Sequence, residues 1–375
     1  MKTARRSKIT RIFLGINAVA TSLVAFMTVL SGWGGVIDPR WSVLPAAIAM
    51  TFPAWWTLNL LAGVVNLFIA PRRLSIISGI AILATLSPLL TFSPVNFTST
   101  PDNSDDDFTV MSFNTYYLEG YDTHIPDNTP NPSLDYILMT APDIACLQET
   151  FVIPAGTRHA TQGQIDSLNA RYPFIVPLPK ANQVILSKYP AELLSTHTFR
   201  DTSASMVHLK LDINGHPLHL FSVHLQSLRL TPGDKETYRT LTSTRLQRHD
   251  VSEARHKLIP KLFNAFRERA GQADTLAAMI RRIPPNENII LAGDFNDIPG
   301  CYAVRQLLKA GLHDAYADAA CGPAITYHAS RFYFRIDHIM YRGDIKPLKT
   351  WRGTCGYSDH YPLITRFVWN NTKQI

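Results

Sequence analysis

Acidic residues are almost missing from the first 92 positions: Asp38 stands alone against Lys2, Arg5, Arg6, Lys8, Arg11, Arg40, Arg72 and Arg73. The whole-chain net charge of +7 is therefore carried by this segment. Removing these residues from totals of 36 basic and 29 acidic leaves 28 of each, so the remainder is formally neutral. That balance removes the basic pI as an argument for a nucleic-acid partner. Cysteine is scarce too. Cys146, Cys301, Cys321 and Cys355 contain no C-x-x-C spacing, which argues against a zinc site. Cys146 lies in an apolar run and reads as a buried thiol, while a bridge among the other three stays open. No internal repeat is present, which excludes repeat architectures.

What the N-terminal segment does have is three apolar runs, residues 12–33, 43–70 and 74–92, none with a Lys, Arg, Asp or Glu. Each is near the ~20 residues a helix needs to cross ~30 Å of hydrocarbon. Residues 1–92 therefore read as a membrane anchor of three transmembrane helices, with the lipid bilayer as partner. The alternative is a cleaved signal peptide followed by buried core helices, but the first run exceeds the ~7 to 15 residues of a signal's apolar region. Pro45 and Pro53 make the middle run the least regular. Basic residues before position 12 and at Arg72 and Arg73 mark the cytoplasmic side. Three crossings then place the rest of a multi-pass protein on the extracytoplasmic face of the cell membrane.

Residues 93–107, SPVNFTSTPDNSDDD, have the polar, proline-containing composition of a linker. From position 108 to about 370 come short apolar runs bounded by turn residues: FTVMSF, IACLQ, QVILS, MVHLKLDI, LHLFSVHL, NIILAG, IDHIMY and LITRFVW. Runs this apolar predict strands covered on both faces. Residues 234–283 instead carry helical spacing, with Pro260 expected to kink or divide the helix. The pattern predicts one α/β domain.

Chemistry-bearing residues gather at the ends of these runs. NIILAGDFNDIPG presents Asp294 and Asn296, two apart and so on one side of an extended chain. GYSDHYP places Asp359 and His360 just before a strand, and FRIDHIMY places Asp337 where it can fix an imidazole or pair with Arg335 or Arg342. SFN ends at Asn114, LQE at Glu149, and LHLFSVH at His224. Mg²⁺ prefers oxygen ligands such as Glu149, usually with water and substrate phosphate completing the shell.

In this order, SFN, LQE, VHL, GDFN, IDHI and SDHYP resemble the endonuclease/exonuclease/phosphatase superfamily, which includes DNase I-like nucleases, abasic-site endonucleases, inositol polyphosphate phosphatases and neutral sphingomyelinases. The resemblance covers residues 108–368 and implies a four-layer sandwich of two mixed β-sheets flanked by helices. It implies Glu149 as main metal ligand, with Asn114 and Asp359 at the same site, and Mg²⁺, or Mn²⁺ or Ca²⁺, as cofactor. Asp294 matches the residue that activates water and Asn296 its support. His360, oriented by Asp337, matches the imidazole that stabilises charge on phosphorus, and His224 matches the acid for the leaving oxygen. Many members carry Asn where this chain has Ser222.

The implied substrate is a phosphoester, foremost a phosphodiester of nucleic acid; a phospholipid headgroup is the alternative, with Tyr116, Tyr117 and Tyr121 as candidate contacts. A non-catalytic binding module is the third reading. Residues 229–282 carry 12 basic and six acidic residues, suited to an anionic substrate or headgroup, or simply to a solvated helix face. Nothing points to a protein partner.

Overall fold

The computed structural model describes residues 7–69, 72–97, 107–150, 159–199, 202–241, 248–329 and 332–370. Its strands are β1 (Asp107–Asn114), β2 (Ile144–Gln148), β3 (Phe174–Leu178), β4 (Gln183–Ser187), β5 (Ala191–Thr198), β6 (Ser205–Ile213), β7 (His216–His224), β8 (Asn288–Asp294), β9 (His313–Asp314), β10 (Asp337–Arg342), β11 (Ile345–Arg352) and β12 (Leu363–Trp369). They form two six-stranded sheets, ordered β11-β12-β1-β2-β4-β3 and β5-β6-β7-β8-β10-β9. Each is mixed, with one parallel pair at its centre, β1 with β2 and β7 with β8.

Two-residue alternation builds the layers. Along β1, Phe108 and Val110 enter the seam between the sheets, while Met111 and Phe113 face the opposite way, into a cluster with Leu134, Ile137 and Leu168. Helices Pro132–Thr140 and Gln162–Arg171 supply those partners and cover the first sheet. On the second sheet Leu218, Leu220, Ile290 and Ala292 face the seam. Phe221, Val223 and Leu291 pack outward against Ala273, Leu276 and Leu307 of helices Arg248–Arg282 and Tyr302–Lys309. Pro260 does not divide the longer helix.

The seam also holds a polar clasp: Ser222 Oγ donates to Gln183 Oε1 at 2.5 Å, and Gln183 Nε2 to Ser205 Oγ at 2.8 Å. Ser222 thus joins the two sheets. The four cysteines are free, with Cys146 buried as expected.

The N-terminal helices reverse the usual burial pattern. Ile9, Ile12, Phe13, Ile16, Val19, Leu23 and Phe26 are exposed on helix Lys8–Trp33, whereas its buried residues are Thr21, Ala25, Thr28, Ser31 and Gly32. Asn66 is buried between Asn17 and Thr21, accepting from the first at 2.7 Å and donating to the second at 2.9 Å. Small and polar residues inside with large apolar ones outside is the arrangement of helices packed in lipid. By length and composition Lys8–Val36 and Phe52–Ile69 can each cross a membrane. Arg72–Ala84 and Leu86–Phe92 add a third crossing if the pair, bent by 55°, is one span.

The bend has a local cause. Pro88 lacks the N–H that would bond to Ala84 O, and the Trp33 indole donates to that carbonyl instead, at 2.9 Å. The middle apolar run is also broken, into Leu44–Ala49 and Phe52–Ile69.

The hairpin between the first two long helices docks on the sandwich. Ala46 and Ala49 share a core with Phe266, Ile298, Cys301 and Ile336. A Cβ on Gly35 would lie 2.0 Å from Gly300 O, so only glycine permits this approach. Arg305 donates to Gly32 O at 2.7 Å, and Arg40 pairs with Asp274. Pro94 O accepts from Gly322 N at 2.8 Å, and Asn96 Nδ2 donates to Ala317 O and Ala320 O. Residues 98–106 of the expected linker lie outside the described residues.

Candidate active site

The alternation that builds the core also aims the site. Continuing the seam-facing rows by two residues from Ser112, Ser222, Ala292 and Ile339 reaches Asn114, His224, Asp294 and Asp337. Register brings them to one end of the seam: His224 is opposite Asp294 across the parallel β7–β8 pair, and Asp337 is opposite Asp294 across β8–β10. Gly293 permits this closeness, because a Cβ there would sit 2.0 Å from Val223 O. The β1 and β2 ends add Asn114 and Glu149, and the loop before β12 adds Asp359 and His360.

Asp294, 1% exposed, is the centre. The Asn296 N–H donates to its Oδ1 at 2.8 Å, and Asn114 Nδ2 donates to its Oδ2 at 3.1 Å. Asn296 Nδ2 in turn donates to Leu225 O at 3.1 Å. The same Oδ2 faces His360 Nε2 at 3.6 Å and His224 Nε2 at 3.7 Å, and His224 Nε2 is 3.6 Å from Glu149 Oε1. These separations exceed hydrogen-bond length, so the four groups surround a small space without satisfying one another. Among the described residues neither ring nitrogen of buried His224 has a hydrogen-bond partner, and Asp337 Oδ1 also lacks one. Buried polar groups left this way match a site built for a further ligand.

His360 Nδ1 bonds to Asp337 Oδ2 at 2.9 Å. Burial would push the imidazole down, but the Asp337 and Asp294 carboxylates beside it outweigh that and raise it to about 10. The two carboxylates thus favour its imidazolium form. Asp337 pairs with this histidine rather than with an arginine; Arg335 pairs with Asp314 at 3.0 Å, and Arg342 caps Ile283 O and Pro284 O. Burial raises Asp294 above the usual carboxylate range, with His360 opposing. Burial also pushes Asp359 up to about 6; His360 pulls it down, and the Glu149 carboxylate pushes it up.

Supporting residues absent from the sequence reading complete the frame. Thr326 Oγ1 accepts from the N–H groups of Ile336 and Asp337, and Ser358 Oγ accepts from His360 N while donating to Asn114 O at 2.7 Å. Tyr327 sets its ring edge-on to His360 at 4.9 Å. Such positions carry no motif, since hydroxyls and tyrosines beside turns are common. Glu149 adopts φ 47°, a conformation strained for glutamate, and its carbonyl accepts from Tyr117 N at 2.7 Å. Of the three candidate tyrosines Tyr116 lines the cleft, and Tyr121 packs edge-on against it.

The donor set suits a hard cation. Glu149, Asp294 and Asp359 offer carboxylate oxygens to one cleft, and the mutual repulsion of Glu149 and Asp359 is the condition a divalent ion relieves. Asp294, Asp337 and His360 also bring ligand atoms within 4.8 Å of one another, a group that could hold an ion. Asn114 turns its Nδ2 to Asp294 and its Oδ1 to Tyr116 N.

Two mixed sheets layered between helices, with a buried Asp–His cluster at the seam's end, define a phosphoesterase fold. A model of the endonuclease/exonuclease/phosphatase family matches residues 111–360, and the chain belongs to that family, whose members are generally metal-dependent phosphoesterases. A domain of unknown function (DUF8431) matches residues 10–92. The uncharacterized protein YbhP of Escherichia coli K12 is 32% identical over 101 residues, 25% of this chain; the match spans only 39% of that relative's length. Among solved structures, a humanized D. rerio TDP2 has 18% identity and a TM-score of 0.44, over 70% of this chain and 99% of that one. The endonuclease/exonuclease/phosphatase protein from Beutenbergia cavernae has 16% identity and a TM-score of 0.45, over 70% and 72%.

Proposed function

We propose that this chain is a membrane-anchored, divalent-metal-dependent phosphodiesterase. The observation that carries the reading is the space ringed by Asp294 Oδ2, His224 Nε2, His360 Nε2 and Glu149 Oε1. Asp294, oriented by Asn296 and Asn114, takes a proton from water. The His360 imidazolium, charged by Asp337, stabilises negative charge on the nonbridging oxygens. His224 gives a proton to the leaving oxygen. Because His360 and Asp337 are bonded to each other, we assign the metal to Glu149 and Asp359, with Asn114 beside them. Mg²⁺, Mn²⁺ or Ca²⁺ held by these residues would neutralise charge on the phosphate.

The division into an anchor at 1–92, a linker at 93–107 and a catalytic domain at 108–370 belongs to the same proposal, as does the extracytoplasmic placement of that domain. The lipid-type burial pattern of the N-terminal helices supports the anchor.

The test uses the full chain in detergent micelles with bis-p-nitrophenyl phosphate. Turnover requires Mg²⁺, stops with EDTA, and falls by about 10²- to 10⁴-fold in Asp294→Asn. Wild-type rates in Asp294→Asn, or in EDTA, would remove the assignment.

A further inference from the structure

Resting on the phosphodiesterase reading, we propose that the substrate is a membrane lipid, with its phosphodiester at Asp294 and His360 and its apolar tail on a wall partly supplied by the anchor. A cleft of about 220 Å³ opens from the site. Its polar end is formed by Glu149, Asp294, Asn296, Asp359 and His360. Apolar side chains, Met50, Leu228, Leu262, Phe332 and Phe334 among them, line it together with the cations Arg229, Lys235 and Arg269.

Met50 sets the direction. It caps helix Leu44–Ala49, and the next helix, Phe52–Ile69, is one of those apolar enough to span a membrane. Two residues of backbone cover at most about 7 Å, so the cleft wall begins where that helix does. The same docked hairpin exposes Val36, Ile37, Trp41 and Leu44, with Trp41 89% exposed. Apolar and Trp side chains at a helix end suit the membrane–water boundary. A lipid raised slightly from its leaflet keeps its tail on apolar side chains all the way to the phosphate site.

A polynucleotide entering by this route would meet Arg229 and Lys235, but it would also press sugar and phosphate groups against Leu, Phe and Met side chains that give them no partner in place of water. Lys235, which also lines the cleft and lies 5.7 Å from the centre of the Tyr121 ring, offers a cation to an anionic headgroup.

The test reconstitutes the full chain in vesicles of phosphatidylethanolamine and phosphatidylglycerol with Mg²⁺. Hydrolysis of these esters is compared with that of their deacylated, water-soluble headgroup diesters, and with nicking of supercoiled plasmid. The deacylated diester cannot use the apolar wall and is not held beside it by a bilayer, so the account predicts a kcat/KM preference on the order of tenfold or more for the long-chain ester. Met50→Gln lowers that preference severalfold.

A second readout is independent of turnover. Phosphatidylglycerol with a diazirine on its acyl chain, added to the His360→Ala chain, labels cleft-lining peptides of the sandwich, those containing Leu262 and Phe334. Equal rates on acylated and deacylated diesters, preference for plasmid, or labelling confined to the membrane helices overturns the lipid assignment. In the first two cases the phosphodiesterase reading still stands. Failure on every ester, including bis-p-nitrophenyl phosphate, overturns both.

Discussion

His360 is fixed through its ring, its backbone and its face: Asp337 holds Nδ1, Ser358 holds the N–H, and Tyr327 packs edge-on. Replacing it with alanine removes a buried cation that faces Asp294, and kcat should fall about 10²- to 10³-fold with the fold retained. Thr326→Val deletes the acceptor for two backbone N–H groups behind Asp337 and should cost about 1–3 kcal/mol, read by thermal unfolding.

Two further histidines set an acid limit. Burial pushes His208 and His338 down to about 4, helped by His219 and Arg335 respectively. Unfolded, each takes up a proton near 6.5. As pH falls from 6.5 toward 4 the unfolded chain therefore binds protons that the native chain refuses, and stability drops through that window. His208→Gln should flatten the slope in denaturant titrations run at each pH. At this scale Asn114, His224, Asp294 and Asp337 were readable because each lies at the end of an apolar run whose seam-facing parity aims it, whereas Glu149, Asp359 and His360 lie just outside the strands and were readable only through their motifs. Thr326, Ser358 and Met50 were not, since their roles come from chain segments brought close only by folding.

Strands show where apolarity stops being informative. All eight strands expected from apolar runs are present, and the four missed, β3, β5, β9 and β11, are the four sheet edges. Central strands are covered on both faces and need apolar side chains throughout; an edge strand such as β5, exposed along most of its length, does not. The third apolar run was likewise readable as one run but not as a bent pair, because the carbonyl that Pro88 leaves open is met by Trp33 from a distant part of the chain. Trp33→Phe would strand that carbonyl and lower stability in micelles by about 1–3 kcal/mol. Gly293→Ala would drive a Cβ into Val223 O and part β7 from β8, costing about 3 kcal/mol or more and moving His224 off Asp294; thermal unfolding and activity should fall together.

Across the whole molecule, the sandwich and the N-terminal helices share a core rather than being joined by a tether alone. Arg305 shows the coupling, reaching Gly32 O while its guanidinium lies 4.9 Å from the centre of the Trp33 ring. The sequence marks both parts through the charge change near residue 93, but not their contact, which depends on a glycine turn and a short helix hidden in an apolar run. The central claim is that water held by Asp294 attacks phosphorus. Its most direct measurement is mass spectrometry of the products formed from a phosphodiester by the full chain and Mg²⁺ in heavy-oxygen water. The account predicts one heavy oxygen on the phosphate-bearing product and none on the alcohol, with the signal lost in Asp294→Asn. Heavy oxygen on the alcohol, or undiminished labelling in that variant, would contradict it.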